Sequence, residues 1–313
     1  YNFKVILMNA RGRVSVIIPA YNEEEGLPKV IEEIPDLVDE IIVVDDGSTD
    51  KTYEIAKGYE AIKKNVLVFK HEKNIGKVAA ITTGIQNANC DIIVLTDADF
   101  TYPAKYIINF LEEIEKGCNL VIGSRFLGFP QNMPFLNKFG NKILSFIATY
   151  ASGIKITDAQ SGFRAFRKDF FEKLDLSAKG LEFETEMTVK VAKHGYKVVE
   201  IPIEYRKRVG KSKLNLLKDG YKMFNAVLSI LYKETSTLAK TILIPSVFLF
   251  FIGIYFGLVS VIEYLEFGKP QHVYYPLLTV LFILISTQLF SLGLIVDNLT
   301  KKIDRVYEIL MRK

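Results

Sequence analysis

Two cysteines and three histidines are all that 313 residues provide. Cys90 and Cys118 form no C-x-x-C pair, which excludes a disulfide framework and suits small core residues in a reducing compartment. His71, His194 and His272 show no ligand spacing, so no zinc site is expected. Neither sign of charge prevails: 40 Lys and Arg against 36 Asp and Glu leave +4. A general polyanion-binding surface is therefore not implied, and no nucleic acid partner is expected. The patterns G-x-G-x-x-G and G-x-x-x-x-G-K-[ST] are both missing, so there is neither a dinucleotide fingerprint nor a P-loop. Tyr1 to Met8 is apolar but too short for a secretory leader and has no cleavage pattern.

What the chain has in quantity is apolar sequence. It is 49% hydrophobic with a mean hydropathy of +0.18, high for a purely soluble protein. No residue from Thr241 to Ile262 or from Val273 to Val296 is charged. Each stretch reaches the roughly 20 residues that cross a bilayer. A buried hairpin of a soluble core is the alternative, but such helices carry a polar stripe. Pro245, early in the first stretch, is tolerated in lipid. The connecting segment, with Glu263, Glu266, Lys269 and Pro270, has no basic excess, whereas Lys233, Lys240, Lys301, Lys302 and Arg305 flank the pair. The positive-inside rule then places both ends in the cytoplasm, on a multi-pass protein of the cell membrane.

A basic cluster precedes the spans: Arg206, Lys207, Arg208, Lys211, Lys213, Lys218 and Lys222. It suits an anionic membrane surface or a phosphate ligand. Leu214, Leu217, Tyr221, Phe224, Val227, Leu228 and Leu231 recur at helical spacing, as in a helix lying on the membrane surface or packed on a soluble core. The expected organisation is a catalytic domain over 1–212, an interfacial amphipathic helix over 213–237, two transmembrane helices over 238–300 and a cytoplasmic helix over 301–313. In the last, Ile303, Val306, Tyr307, Leu310 and Met311 offer an apolar face for a neighbouring copy, so a homo-oligomer is a possible state.

Before the cluster, strand and helix patterns alternate. Strands are expected at Val14–Ile18, Glu40–Val44, Val66–Phe69, Ile92–Leu95 and Leu120–Ile122. Helices are expected at Glu24–Ile34, Thr49–Tyr59, Lys77–Asn87 and Pro103–Lys116. This is an α/β domain with a mostly parallel, Rossmann-like sheet covered on both faces. Ligands of such sheets bind beyond the carboxyl ends of the strands. The polar residues follow suit: Pro19-Ala20-Tyr21-Asn22-Glu23, Asp45-Asp46-Gly47-Ser48-Thr49-Asp50, Asn74 with Gly76-Lys77, Asp97-Ala98-Asp99 and Gly123-Ser124-Arg125. Singly each reads as a turn or a helix cap. Together they make one crevice of acids, bases and an aromatic. Asp97 and Asp99, one residue apart on extended chain, would face opposite sides. One is then free to hold a hard divalent ion, magnesium or manganese, and the other to meet a ligand hydroxyl.

In this order the blocks V-I-I-P-A-Y-N-E-E, V-V-D-D-G-S-T-D, N-I-G-K and T-D-A-D resemble family 2 glycosyltransferases of the GT-A fold. Asp158-Ala159-Gln160-Ser161-Gly162-Phe163-Arg164, Glu182-Phe183-Glu184, Glu200-Ile201-Pro202-Ile203 and Arg208-Val209-Gly210-Lys211-Ser212-Lys213 narrow the resemblance to dolichyl- and polyprenyl-phosphate sugar synthases. It covers roughly Val14 to Lys213, and the two spans are similar to those of membrane-anchored members.

The resemblance implies a nucleotide pocket of Pro19, Tyr21, Glu23, Asp46, Lys77, Asp97 and Ala98. It implies Asp99, with Asp97, at a magnesium or manganese ion, and Arg125, Lys138, Arg208 and Lys213 around the phosphates. Where related synthases carry a Gln that can complete the metal shell, Thr101 stands here, and Val78 follows Lys77 in place of a second Gly. The implied activity is transfer of a hexose from a UDP- or GDP-sugar to dolichyl or polyprenyl phosphate with inversion. The absence of tryptophan removes the Q-x-x-R-W motif of processive membrane glycan synthases. Such a synthase, counted against by that missing motif, a catalytically inactive membrane anchor that binds a sugar nucleotide, and a nucleotidyltransferase are the rival readings.

Overall fold

A computed structural model describes residues 13–128, 133–176, 180, 182–210, 229, 232, 235–269 and 271–311. The chain divides into two compact units, Tyr1–Leu228 and Ser229–Lys313.

In the first unit the apolar runs become strands β1 (Val14–Ala20), β2 (Glu40–Asp45), β3 (Val66–Lys70), β4 (Ile92–Leu95) and β5 (Leu120–Ser124). Between them lie helices α1 (Leu27–Glu33), α2 (Thr52–Ile62), α3 (Lys77–Asn87) and α4 (Ile107–Glu115). Then follow α5 (Phe135–Ser152), β6 (Arg164–Arg167), the short α6 (Lys168–Phe171), α7 (Phe183–Lys193) and β7 (Val198–Pro202). The strand order is β3-β2-β1-β4-β6-β5-β7. The β1–β2, β1–β4, β2–β3 and β5–β7 pairs are parallel. β6 runs antiparallel between β4 and β5, with Leu95 opposite Arg164 and Ile122 opposite the same residue. The sheet is therefore mixed, the one reversal among the described strands being a segment that hydrophobic patterning alone does not mark.

Alternation along the strands feeds two cores. Val14, Val16 and Ile18 of β1 join Leu27, Val30 and Ile31 of α1 and Phe110 of α4 on one face. Ile17, Ile42 and Val44 join Ala80, Ile81 and Ile85 of α3 and Met187 of α7 on the other. Burying one such side chain contributes about 1.5–3 kcal/mol, so both faces of the sheet must be covered.

Three of the four expected helices start later than patterning suggests, for local reasons, while α3 begins at Lys77 as expected. α2 begins at Thr52, because Asp50 accepts from the Thr52 amide (3.0 Å) and shapes the preceding turn. α4 is preceded by a 3₁₀ turn at Ala104–Tyr106. β1 extends beyond Ile18 because Pro19 and Ala20 keep register with Val44 and Asp45.

The second unit is a hairpin of α8 (Thr237–Phe267) and α9 (Tyr274–Met311). Both are long and apolar enough to cross a membrane, each holding an 18-residue stretch with a mean hydropathy of 2.5 in the first and 2.2 in the second, and few residues of those stretches are buried. Ser236 caps α8 by accepting from the Ala239 amide at 3.2 Å, and Gly268 closes it at φ +71. Gly253 and Gly257 let the helices approach: a methyl group there would lie 3.0 Å from Ile283 and 3.1 Å from Thr279. At the other end Asp297, fully buried, accepts from the Ser236 amide (2.7 Å) and pairs with Lys301 (2.5 Å). Nearly all of the expected helix over 213–237 lies outside the described residues, as do Lys211, Lys213, Lys218 and Lys222.

Candidate active site

The loops leaving β1 and β2 are laced together. Ser48 accepts from the Asn22 amide (2.9 Å), Asn22 from the Thr49 amide (2.7 Å) and Thr52 from the Glu23 amide (2.8 Å). Asn22 adopts φ +53, a left-handed conformation that Asn tolerates better than most residues. This lacing fixes Pro19, Tyr21 and Glu23 at the sheet edge. Asp46, 3% exposed, is committed elsewhere. Its carboxylate accepts from the Ile75 amide (3.0 Å) and the Gly76 amide (2.8 Å) and meets His71 Nδ1 at 2.8 Å. It thereby shapes the turn into α3 and delivers Lys77, whose helix starts directly after Gly76 at φ +105. The loop is held by Asp46, so a second Gly after Lys77 is not needed.

Lys77 Nζ lies between Asp97 (2.7 Å) and Glu184 (3.0 Å). Burial opposes its charge, but these two carboxylates outweigh that and raise its pKa. Gly162 adjoins the pair, and a Cβ there would stand 3.0 Å from both Asp97 oxygens and 3.1 Å from Lys77 Nζ. Ala98 is buried, its carbonyl oxygen 2.5 Å from where a Cβ on Gly26 would sit.

β4 ends at Leu95 and the chain turns at Ala98 and Asp99, so the two acids do not both lie on a strand. They still have separate partners. Asp99 Oδ1 accepts from the Thr101 amide (3.1 Å) and hydroxyl (2.6 Å), and Oδ2 meets Arg208 Nη1 at 3.0 Å. Arg208 also pairs with Glu23 through Nη2. Between the acids and Thr101, Phe100 is held at φ +63. Thr101 thus orients Asp99, which is a different service from that of a metal-completing Gln. Burial and the neighbouring Asp97 charge push the Asp99 carboxyl up, only partly offset by Thr101 and Arg208. An acid pair short of positive charge suits an added cation. Among the described residues no three His, Cys, Asp or Glu side chains converge as a cage. Two acids and a hydroxyl therefore fit magnesium or manganese, which share their coordination with phosphates, better than a fully protein-ligated ion.

Arg125 lies beside the crevice with its side chain already engaged. Its guanidinium is not presented as an open clamp: Nε and Nη2 fork onto Asp158 at 2.7 Å each, and its amide donates to the same carboxylate at 2.9 Å. Arg125 is 6% exposed and Asp158 0%. Burial opposes the guanidinium charge, but Tyr102 and Asp158 raise its pKa above the usual arginine value. Glu200 in turn accepts from the Thr157 amide (2.9 Å) and hydroxyl (2.9 Å) and from the Asp158 amide (2.9 Å). Arg164 is structural: it donates to the carbonyls of Ser161 (2.7 Å), Ala159 (2.6 Å) and Glu184 (2.7 Å). Burial pushes it down to about 10, and it remains charged at neutral pH.

Asp158, Glu200, Tyr102 and Tyr205 are the residues that sequence reasoning left without a role. Tyr102 accepts from the Gly162 amide (3.1 Å) and stacks on Phe163, and the Arg125 guanidinium lies 5.4 Å from the Tyr205 ring centre. These partners are separated by tens of residues, and no local spacing announces them. Lys138 stands on α5, which exposes Phe139, Ile143 and Phe146 along one face. Lys213 lies outside the described residues.

A family model for glycosyl transferase family 2 matches residues 15–175. A dolichyl-phosphate hexose transferase of Haloferax volcanii is 30% identical over 71% of this chain and 95% of its own. A dolichol-phosphate mannosyltransferase of Pyrococcus furiosus is 36% identical over 64% of this chain and 59% of its own. Among solved structures, glucosyl-3-phosphoglycerate synthase from Mycobacterium tuberculosis, in complex with Mn2+, uridine diphosphate and phosphoglyceric acid, superposes with a TM-score of 0.56. It is 23% identical, with 73% of this chain and 80% of that one covered, which establishes the shared GT-A fold. The ordered motifs, the reversed strand beside β4 and the acids at its end have one reading: the chain belongs to glycosyl transferase family 2.

Proposed function

We propose that the protein transfers a hexose from a UDP- or GDP-sugar to a dolichyl or polyprenyl phosphate, inverting the anomeric centre. The observation that carries this reading is the pairing of Asp97 with Lys77 and of Asp99 with Arg208 at the end of β4, in a chain that also holds two membrane-length helices. The relatives' names point to the same lipid-phosphate acceptors.

The acceptor phosphate monoester has a second pKa near 6 and is already anionic at neutral pH. It needs no carboxylate base. Its oxygen forms the new bond to the anomeric carbon, and the bond from that carbon to the donor diphosphate breaks. The nucleoside diphosphate leaves with the electron pair. The protein's task is to bring two anions to one carbon, by position and compensating charge. In this reading Tyr21, Pro19, Glu23 and Ala98 shape the nucleoside pocket, and Asp46 supports it through the turn it holds. Asp97 and Lys77 orient the donor, and Arg208, with Lys138 and Lys213, meets the phosphates. Arg125 acts from its Asp158 pair, holding the wall behind them. Asp99, with Asp97, would hold magnesium or manganese, which supplies charge stabilisation to the departing diphosphate.

Exposing a polyprenyl chain to water costs about 0.8 kcal/mol per CH₂. An enzyme for that acceptor must work at the headgroup plane. Two spans with cytoplasmic ends, set by the flanking lysines, would keep it there. The test is a lipid-extraction assay with full-length protein, dolichyl phosphate, manganese and a panel of labelled UDP- and GDP-sugars. Label entering the organic phase with one donor, and lost in Asp99→Ala, is the expected result. Nucleotide binding without transfer from any donor would overturn the reading in favour of an inactive sugar-nucleotide anchor.

A further inference from the structure

Residues 206–209 lie as a strap across residues 99–101. The Arg206 amide donates to the Thr101 carbonyl (3.0 Å), and the Val209 amide donates to the Asp99 carbonyl (3.1 Å). The two ends of the strap are held differently. At one end the Arg206 guanidinium forks onto Glu33 at 2.7 and 2.6 Å and lies 4.6 Å from the Phe100 ring centre. This is a planar bidentate pair with an aromatic floor, a strong anchor for an arginine. At the other end Arg208 touches Asp99 and Glu23 through one nitrogen each. Its Nε is buried with no hydrogen-bond partner among the described residues. A buried donor left unpaired is unfavourable, so this end is the poorer resting place. The next glycine, Gly210, sits at φ +84, a left-handed conformation that glycine adopts without strain, and among the described residues a methyl group placed on it would come no nearer than 3.8 Å, to Glu23.

A buried carboxylate tolerates exchange of one cation for another far better than loss of its cation. Two cations cannot occupy the same face of one carboxylate without repelling. We propose that Arg208 is a tethered counter-cation: it neutralises Asp99 until a divalent ion takes its place, and its displaced guanidinium then turns to the diphosphate that accompanies the ion. This deepens the reading of Asp99 as the ion's ligand and rests on it. Arg206 is the fixed end of the strap, and Arg208 is the exchangeable end.

The consequence is a reversal of sign. Without nucleotide, Arg208 competes with the ion for Asp99. With a nucleoside diphosphate present, the released guanidinium has an anion to bind, so Arg208 and the ion support one another, and the coupling must be reciprocal. A residue that only contacts phosphate would leave ion binding unchanged in the absence of nucleotide. A residue acting only through its long-range charge would shift ion affinity in the same direction in both states.

The experiment is a titration of full-length protein in detergent with Mn2+, following free Mn2+ by electron paramagnetic resonance, alone and with saturating UDP or GDP. Arg208→Ala and Arg208→Gln are expected to bind Mn2+ about fivefold tighter without nucleotide and about fivefold weaker with it, a typical size for such couplings. Lys105→Ala, which removes an exposed charge paired with Glu204, is expected to change neither value. Circular dichroism checks that the variants are folded, and the Gln variant serves where the Ala variant is not. If the wild type binds Mn2+ but both Arg208 variants bind it equally or more weakly without nucleotide, the counter-cation role is overturned alone. If the wild type binds no Mn2+ in either state, the ion reading fails and this inference fails with it.

Discussion

Removing either member of the Arg125–Asp158 pair tests whether Arg125 belongs to the wall of the crevice or to its open face. The carboxylate accepts three hydrogen bonds from Arg125, at 2.7, 2.7 and 2.9 Å, and neither residue is more than 6% exposed. Breaking a buried pair from one side strands the other charge and costs about 3–5 kcal/mol. For a unit of this size each kcal/mol lowers the melting midpoint by about 2–4 °C, so Arg125→Met or Asp158→Leu should lower it by roughly 6–20 °C. The double variant removes both charges; it leaves the residue-125 amide unpaired, at about 1–3 kcal/mol, and, like Arg125→Met alone, takes a partner from Tyr205. It should therefore be more stable than either single variant, with a coupling of at least about 2 kcal/mol. The assay is thermal unfolding of the full chain in detergent, followed by circular dichroism. An Arg125→Met protein that melts within about 2 °C of wild type yet has lost transfer would refute this account and return Arg125 to the acceptor phosphate.

Three further outcomes are expected. Gly162→Ala introduces a methyl group 3.0 Å from the Asp97 carboxylate and should reduce transfer on the order of tenfold, mainly through donor KM, with little change in melting temperature. Gly26→Ala drives a methyl group to 2.5 Å from the Ala98 carbonyl oxygen, backbone against side chain, and should cost about 1–3 kcal/mol in denaturant unfolding as well as activity. Glu40 is raised by burial but lowered more by hydrogen bonds from Ser15 and Asn89 and by Arg13, so its folded pKa lies below the ordinary 4.5. A depressed carboxylate contributes stability that is complete above its unfolded pKa and disappears as pH falls through the folded one. The stability gap between wild type and Glu40→Gln should be full at pH 7 and close below pH 4.5 in urea titrations; a gap independent of pH would contradict the assignment.

The parallel half of the sheet was legible because strands buried on both faces are written as unbroken Val, Ile and Leu runs. Its polar ends were legible because each follows such a run directly. β6 was not, since Arg164-Ala165-Phe166-Arg167 hides a buried arginine in a segment of four residues. α7 escaped notice because Glu184, Thr185, Glu186 and Thr188 are buried alongside Phe183, Met187 and Val191, so polar residues on its covered sides obscure the apolar stripe. Arg125 was visible as a crevice residue, but its partner is 33 residues away, and only the folded chain reveals that its fork is already taken. The same holds for Asp46, which a motif presents as a ligand contact and the structure employs as the clasp of the Lys77 turn.

The reversed strand has a consequence for how this protein can change. Because β6 pairs with both β4 and β5, the chain leaves the sheet at Ser124 and re-enters at Arg164, one strand over and beside the acids. Residues 125–163 thus form an excursion whose two ends are already neighbours. Its ends are fixed, Arg125 by Asp158, Gly162 against Asp97 and Phe163 in the core, so it is the stretch between them, around α5, that can vary while β1 to β4 keep their places. A change of acceptor is then a matter of rewriting that stretch, with the donor-side residues held where they are.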